Sequence, residues 1–162
     1  MPADAESVLD LRARALARPV VRVGEAAGRL VLLFTLGGEQ LALEAAWLMG
    51  VTKLSTLAPL PGAQPPVRGV TVWQGELLTV LDIRALLGIP TSALSDMTRL
   101  LVIGQQRARF GLIVDAVGDV VDFAEARILP APDNSPARPY LVGVTADARL
   151  ILDGERLLEL FD

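Results

Sequence analysis

Three aspartates, Asp115, Asp119 and Asp122, fall within one largely apolar stretch and come nearest to a metal-binding or acid–base set. Carboxylates so spaced bind a cation or share a proton only where the fold gathers them on one surface. Their order does not match a calcium loop, which needs alternating ligands, a central glycine and a closing glutamate. No glycine-rich phosphate cradle accompanies them. The expected reading is solvated strand and turn acids. Asp82 and Arg84 make a second charged set, expected to be a strand end with a helix cap and local ion pairing. The chain has no histidine and no cysteine. A Ser-His-Asp triad, an ordinary zinc-hydrolase site, disulfides and thiolate metal sites are therefore ruled out. A carboxylate-only enzyme would need a deep pocket with convergent acids. The expectation is a protein that binds rather than catalyses, with no metal and no cofactor.

Composition narrows the partners. The 162 residues fit one domain, or two small subdomains sharing a core, and the 52% apolar fraction is ample for burial. No apolar run approaches the ~18 residues of a membrane span, so no membrane insertion is expected. Asp4, Glu6 and Asp10, with no leading apolar run, are unlike a secretory signal, and the expected location is cytoplasmic. Net charge is -4, split as +1 over residues 1–29 and -5 over residues 30–162. An acidic body repels a phosphate backbone, and 4% aromatics give few stacking platforms, so no nucleic acid is expected.

The elements that must position these residues are mostly strands. Residues 4–18 favour a helix, with Val8, Leu11 and Ala15 on one stripe and Pro19 ending it. Residues 20–29 read as a linker, so the expected division is 1–29 (helix and linker) and 30–162 (main domain). Leu30–Leu36 and Glu39–Ala45 form a hairpin across Gly37-Gly38. Trp47–Leu54 is a short helical turn followed by a strand. A proline-rich loop over 57–66 leads to a second hairpin turning at Gln74-Gly75, and a short helix over Ile83–Leu87 follows. Further strands are expected over Arg99–Ile103, Arg109–Val114, Val117–Phe123, Tyr140–Val144 and Arg149–Leu152. A second proline-rich loop fills 130–139, and Asp153 is placed to cap a C-terminal helix. Nearly ten short strands with regular turns point to an all-β protein of barrels or a sandwich.

The second hairpin, Val67 to Arg84, carries a family resemblance. Its wording VRGVTVWQGELLTVLDIR resembles the signature of the CheW family, coupling proteins of bacterial chemotaxis, roughly V-x-G-V-x-N-L-R-G-x-x-x-P-V-x-D-L-R. Val67, Gly69, Val70, Gly75, Val80, Asp82, Ile83 and Arg84 keep that frame. Val72, Gln74 and Thr79 stand where the pattern has Asn, Arg and Pro, and Trp73 replaces an aliphatic residue. The resemblance continues in order through Phe34–Gly37, Leu60-Pro61, Gly111–Val117, Ile128–Pro132, Tyr140–Gly143 and Ile151–Asp153.

The resemblance implies a CheW-like fold of two intertwined five-stranded β-barrel subdomains around a shared apolar core, with short helices, to which this chain adds an N-terminal helix. It implies no catalysis. It implies an adaptor that bridges the cytoplasmic tip of chemoreceptors to the regulatory domain of a CheA-type histidine kinase, with receptor tips docking between the subdomains. The candidate partner-binding residues are Val67, Gly69, Val70, Val72, Trp73, Gln74 and Gly75. Gly69 and Gly75 are expected to act structurally, and Val67 and Val70 to serve as part core and part groove wall. Gln74 keeps hydrogen bonding but drops the arginine's charge, and Val72 removes a polar handle beside it. The alternative is a CheW-like protein rewired to another pathway, binding without a receptor.

Overall fold

A computed structural model describes residues 6–7, 30–91, 93–123 and 128–160 of the chain. Its strands are β1 (Glu6–Ser7), β2 (Leu30–Leu36), β3 (Glu39–Glu44), β4 (Leu48–Lys53), β5 (Val67–Trp73) and β6 (Glu76–Leu81), followed by β7 (Arg99–Gly104), β8 (Ala108–Val114), β9 (Ala116–Asp122), β10 (Ile128–Leu129), β11 (Leu141–Thr145) and β12 (Leu150–Leu152). Helices are short: α1 (Arg84–Leu87), α2 (Gly154–Leu160) and two 3-10 turns at Ala45–Trp47 and Arg138–Tyr140. The first sheet runs β1-β4-β7-β8-β6-β5 and the second β10-β11-β12-β3-β2-β9. The chain thus begins its main body in the second sheet, crosses to the first for β4 to β8, and returns at β9. Setting aside the two-residue strands β1 and β10, each sheet has five strands.

Burial on both strand faces explains the continuous apolar runs. In β7, Leu100 and Val102 face a small cluster with Leu78, Val80 and Ile113, all from the first sheet. Leu101 and Ile103 alternate to the other side and join a large core with Leu32, Phe34, Leu81, Leu112 and Leu152 from both sheets. In β2, Leu32 and Phe34 enter that shared core, while Val31 enters a third cluster with Ala42, Phe123 and Ile151. Met49 of β4 and Trp73 of β5 pack against the same small cluster, although β4 and β5 stand at opposite ends of the five-stranded order. Both ends of the first sheet thus meet one cluster, the arrangement of a barrel interior. Val121 and Ile128 do the same for the second. These are two barrels around a shared core, as the resemblance implies.

The N-terminal expectation is corrected at two residues. Glu6 and Ser7, placed in a helix by periodicity, form β1 and pair antiparallel with Val51 and Gly50 of β4. Without β1, β4 would end its sheet, and an outer strand's free N–H and C=O groups outweigh a local helical preference. The rest of the expected helix and linker lies outside the described residues. The C-terminal cap is as expected: the Arg156 amide donates to Asp153 Oδ1 at 3.1 Å, opening α2.

Candidate functional site

The β5–β6 hairpin is built by its turn. Gln74 and Gly75 take φ of 50° and 81°, the paired positive values of a two-residue type I′ turn. Gly75 adopts this freely, while Gln74 pays about 1–2 kcal/mol for it. The turn fixes the register: Trp73 faces Glu76, Val72 faces Leu77, Thr71 faces Leu78 and Val70 faces Thr79. Alternation then sorts the side chains. Trp73, Leu78 and Val80 point into the first barrel. Val72, Leu77, Val70 and Thr79 share the outer face. Val72 is 65% and Leu77 76% exposed, side by side at the hairpin's end, while Val70 and Thr79 are half-buried.

The hairpin's base is anchored on three sides. Val67 packs against the shared core. Val70 and Ala58 exchange two backbone hydrogen bonds of 2.9 Å, and Thr71 Oγ1 donates to the Thr56 carbonyl at 2.6 Å. Gly69, at φ +152°, lies under that loop, where an added Cβ would come within 2.3 Å of the Ala58 oxygen. The loop over 57–66 is therefore strapped to β5 because position 69 carries no side chain.

Behind β6 lies a buried charge network. Arg84 is 1% exposed and Asp82 4%. Arg84 Nε donates to Asp82 Oδ1 at 2.9 Å and Nη2 to Oδ2 at 2.6 Å, and the Arg84 amide donates to Oδ1 at 3.1 Å. Arg68 Nη1 adds a bond to Asp82 Oδ2 at 3.1 Å. Burial pushes the Asp82 carboxyl up, but the Arg84 hydrogen bonds and the Arg84 and Arg68 charges outweigh it, so its pKa lies below the ordinary value. The Asp82 hydrogen bond in turn raises Arg84. The ion pairing expected at this strand end is present and buried, but the expected cap is corrected: Ile83 is the N-cap of α1 and makes no side-chain cap bond, and Asp82 turns its carboxylate to the Arg84 amide and guanidinium instead.

The aspartate triad does not act as a set. Among the described residues no three acids gather as a cation site. Asp115 is spent otherwise: its Oδ2 accepts the Gly37 amide at 2.6 Å, and its Oδ1 lies 3.9 Å from Arg84 Nη1. An open pocket of about 200 Å³ on the second sheet is lined by Leu33, Phe34, Val117, Gln40 and Arg149, with no carboxylate in its wall.

The structure brings the seven candidate residues onto one hairpin but divides their roles by face. Val67 and Gly69 sit at its base, Gln74 and Gly75 at its tip, Val70 and Val72 outside and Trp73 half-buried inside. Sequence reasoning missed Leu77. Its signal lies in the register of a two-residue turn at Gln74-Gly75, which sets Leu77 opposite Val72. It also passes over Arg68, and it names Asp115 only as one of three acids, because the partners of both lie well away in sequence.

With this geometry in place, known proteins can be set beside it. The family model described as a CheW-like domain matches residues 30–161. The chain belongs to the CheW-like family. It is similar to the chemotaxis protein CheW of Bacillus subtilis, 28% identical over 106 residues, covering 65% of this chain and 68% of that one. The chemotaxis protein CheW of Klebsiella aerogenes is 27% identical over 141 residues, covering 86% and 81%. Protein FrzA of Myxococcus xanthus is 30% identical over 112 residues, covering 68% and 70%. A solved structure, the scaffolding protein TtCheW from Thermoanaerobacter tengcongensis, superposes with a TM-score of 0.67 at 21% identity, over 78% of this chain and 90% of its own. That likeness confirms the fold. Among the described residues no helix is long and apolar enough to cross a membrane.

Proposed function

We propose that this chain is a non-enzymatic adaptor of chemotaxis-type signalling. It couples the regulatory domain of a CheA-type histidine kinase to a chemoreceptor tip, in the cytoplasm. The observation that carries this reading is the CheW-like match over residues 30–161, joined to a β5–β6 hairpin that is rigidly anchored and yet exposes Val72 and Leu77. Preformed apolar surface on a fixed strand pair suits protein recognition, because little order has to be imposed on binding. Relatives named as chemotaxis proteins support the pathway. The candidate contact residues are Val67, Gly69, Val70, Val72, Trp73, Gln74 and Gly75, to which the geometry adds Leu77. Titration calorimetry of the full chain against the regulatory domain of its cognate kinase is the direct test. Saturable one-to-one binding is expected, and no heat or co-elution with any cognate kinase would count against the reading.

The alternative, a rewired member that binds without a receptor, draws on one observation. Val72 and Thr79, two positions that depart from the family wording, lie on the same outer face of the hairpin. A receptor-tip fragment in the same calorimeter separates the two readings.

A further inference from the structure

The chain passes from the first barrel to the second at a single residue. Asp115 stands between the end of β8 and the start of β9. It touches both barrels. Its amide donates to the Thr35 carbonyl of β2 at 2.9 Å, and its Oδ2 accepts the Gly37 amide in the β2–β3 turn at 2.6 Å. Its other oxygen faces Arg84 Nη1 at 3.9 Å. Arg84 grips Asp82, the residue that follows β6, with bonds of 2.6 and 2.9 Å. Hydrogen bonds therefore join Asp82 to Arg84 and Asp115 to the turn of the second barrel, and a charge contact of 3.9 Å between Arg84 and Asp115 links the two. The turn is seated as well as bonded: an added Cβ at Gly37, φ +58°, would fall 2.1 Å from Ile89 Cγ2, just beyond α1.

We infer that Asp115 is a positioning residue for the partner surface, a clasp that sets the β5–β6 hairpin at a fixed angle to the second barrel. This deepens the adaptor reading and rests on it for the binding step. The shared apolar core presses the barrels together but is non-directional. The Gly37 and Thr35 hydrogen bonds fix Asp115 directionally on the second barrel, and its charge contact with the buried Arg84 then resists a slide or rotation of one barrel on the other. A partner that contacts both barrels then meets a surface already in register, and the cost of ordering it is not levied on binding. Asp115 need not touch the partner for this.

The test uses the full chain carrying Asp115→Ala, Asp115→Asn or Leu158→Ala, the last a stability control in α2. Amide exchange at Gly37 reports the clasp, and titration with the kinase regulatory domain and with a receptor-tip fragment reports the surface. Asp115→Ala should speed Gly37 exchange at least about tenfold while Gly75 exchange stays unchanged. It should weaken at least one partner about tenfold. Asp115→Asn, which keeps an acceptor for Gly37 but not the charge toward Arg84, should fall between. Leu158→Ala should lose stability and keep its affinities. Unchanged affinities in Asp115→Ala, or an equal loss of affinity in Leu158→Ala, would overturn the inference. Wild-type protein that binds neither partner would overturn the adaptor reading and this one with it, and the exchange data would show whether the clasp itself exists.

Discussion

Asp82 and Arg84, two residues apart at the end of β6, hold each other by a fork of hydrogen bonds while both are almost fully buried. Replacing both with well-packed apolar residues leaves stability little changed, whereas removing Arg84 leaves the buried Asp82 to the half-exposed Arg68, and removing Asp82 takes from the buried Arg84 its hydrogen-bonded carboxylate. Arg84→Ala and Asp82→Ala are each expected to cost about 3–5 kcal/mol. Urea denaturation followed by tryptophan emission measures this. A loss below about 1 kcal/mol would mean that water solvates the remaining charge.

The same pair sets an acid limit. Asp82 is depressed in the folded state, so its contribution is complete above the ordinary carboxylate value of 3.8 and is lost as pH falls through the lower folded value. Melting temperature should therefore drop more steeply below about pH 4 than it does in Asp82→Asn, which has no proton to take up there. Parallel slopes in the two proteins would remove Asp82 as the source.

Two glycines of the hairpin should respond differently. An alanine at Gly69 would meet the Ala58 oxygen and part the loop from β5, at an expected cost of about 2–3 kcal/mol. An alanine at Gly75 meets nothing within 4 Å and costs only the positive φ, about 1 kcal/mol. Equal losses would show that the loop yields at position 69.

Leu77→Ala removes an exposed side chain and should shift stability by no more than about 0.5 kcal/mol. If the outer face is the contact, the same change weakens partner binding by about 1 kcal/mol or more, roughly fivefold. Unaltered affinity for both kinase and receptor fragments would move the contact elsewhere.

Gln74→Arg with Val72→Asn restores the family wording at the tip and its neighbour. Receptor-tip binding is expected to tighten, since an arginine brings five donors and a charge. No gain in calorimetry would show that the tip does not limit the interaction.

Much of this architecture is legible from pattern alone. β2 falls at Leu30–Leu36 as read, because alternation there is masked by two-sided burial yet bounded by Gly37-Gly38. The Gln74-Gly75 turn and the Asp153 cap follow from local chemistry. What is hidden is long-range. Gly37 and Asp115 are brought together across 78 residues, and nothing local to either announces it. Local ion pairing of Arg84 with Asp82 is legible two residues apart, but its burial is not. Glu6 and Ser7 fall in a helical pattern because pattern reports a segment's own preference, not the edge of β4 that it meets.

The threading of the chain also has a kinetic side. Leu41 of β3 pairs in parallel with Leu150 of β12, more than a hundred positions later. At ribosomal speed, roughly 5–20 residues per second, β3 waits on the order of 5–20 s for that neighbour to be made. During that interval an apolar strand edge stands open beside the exit tunnel. Folding of the second barrel is thereby tied to the synthesis of β12, and a chain truncated before β12 keeps an edge fit for aggregation.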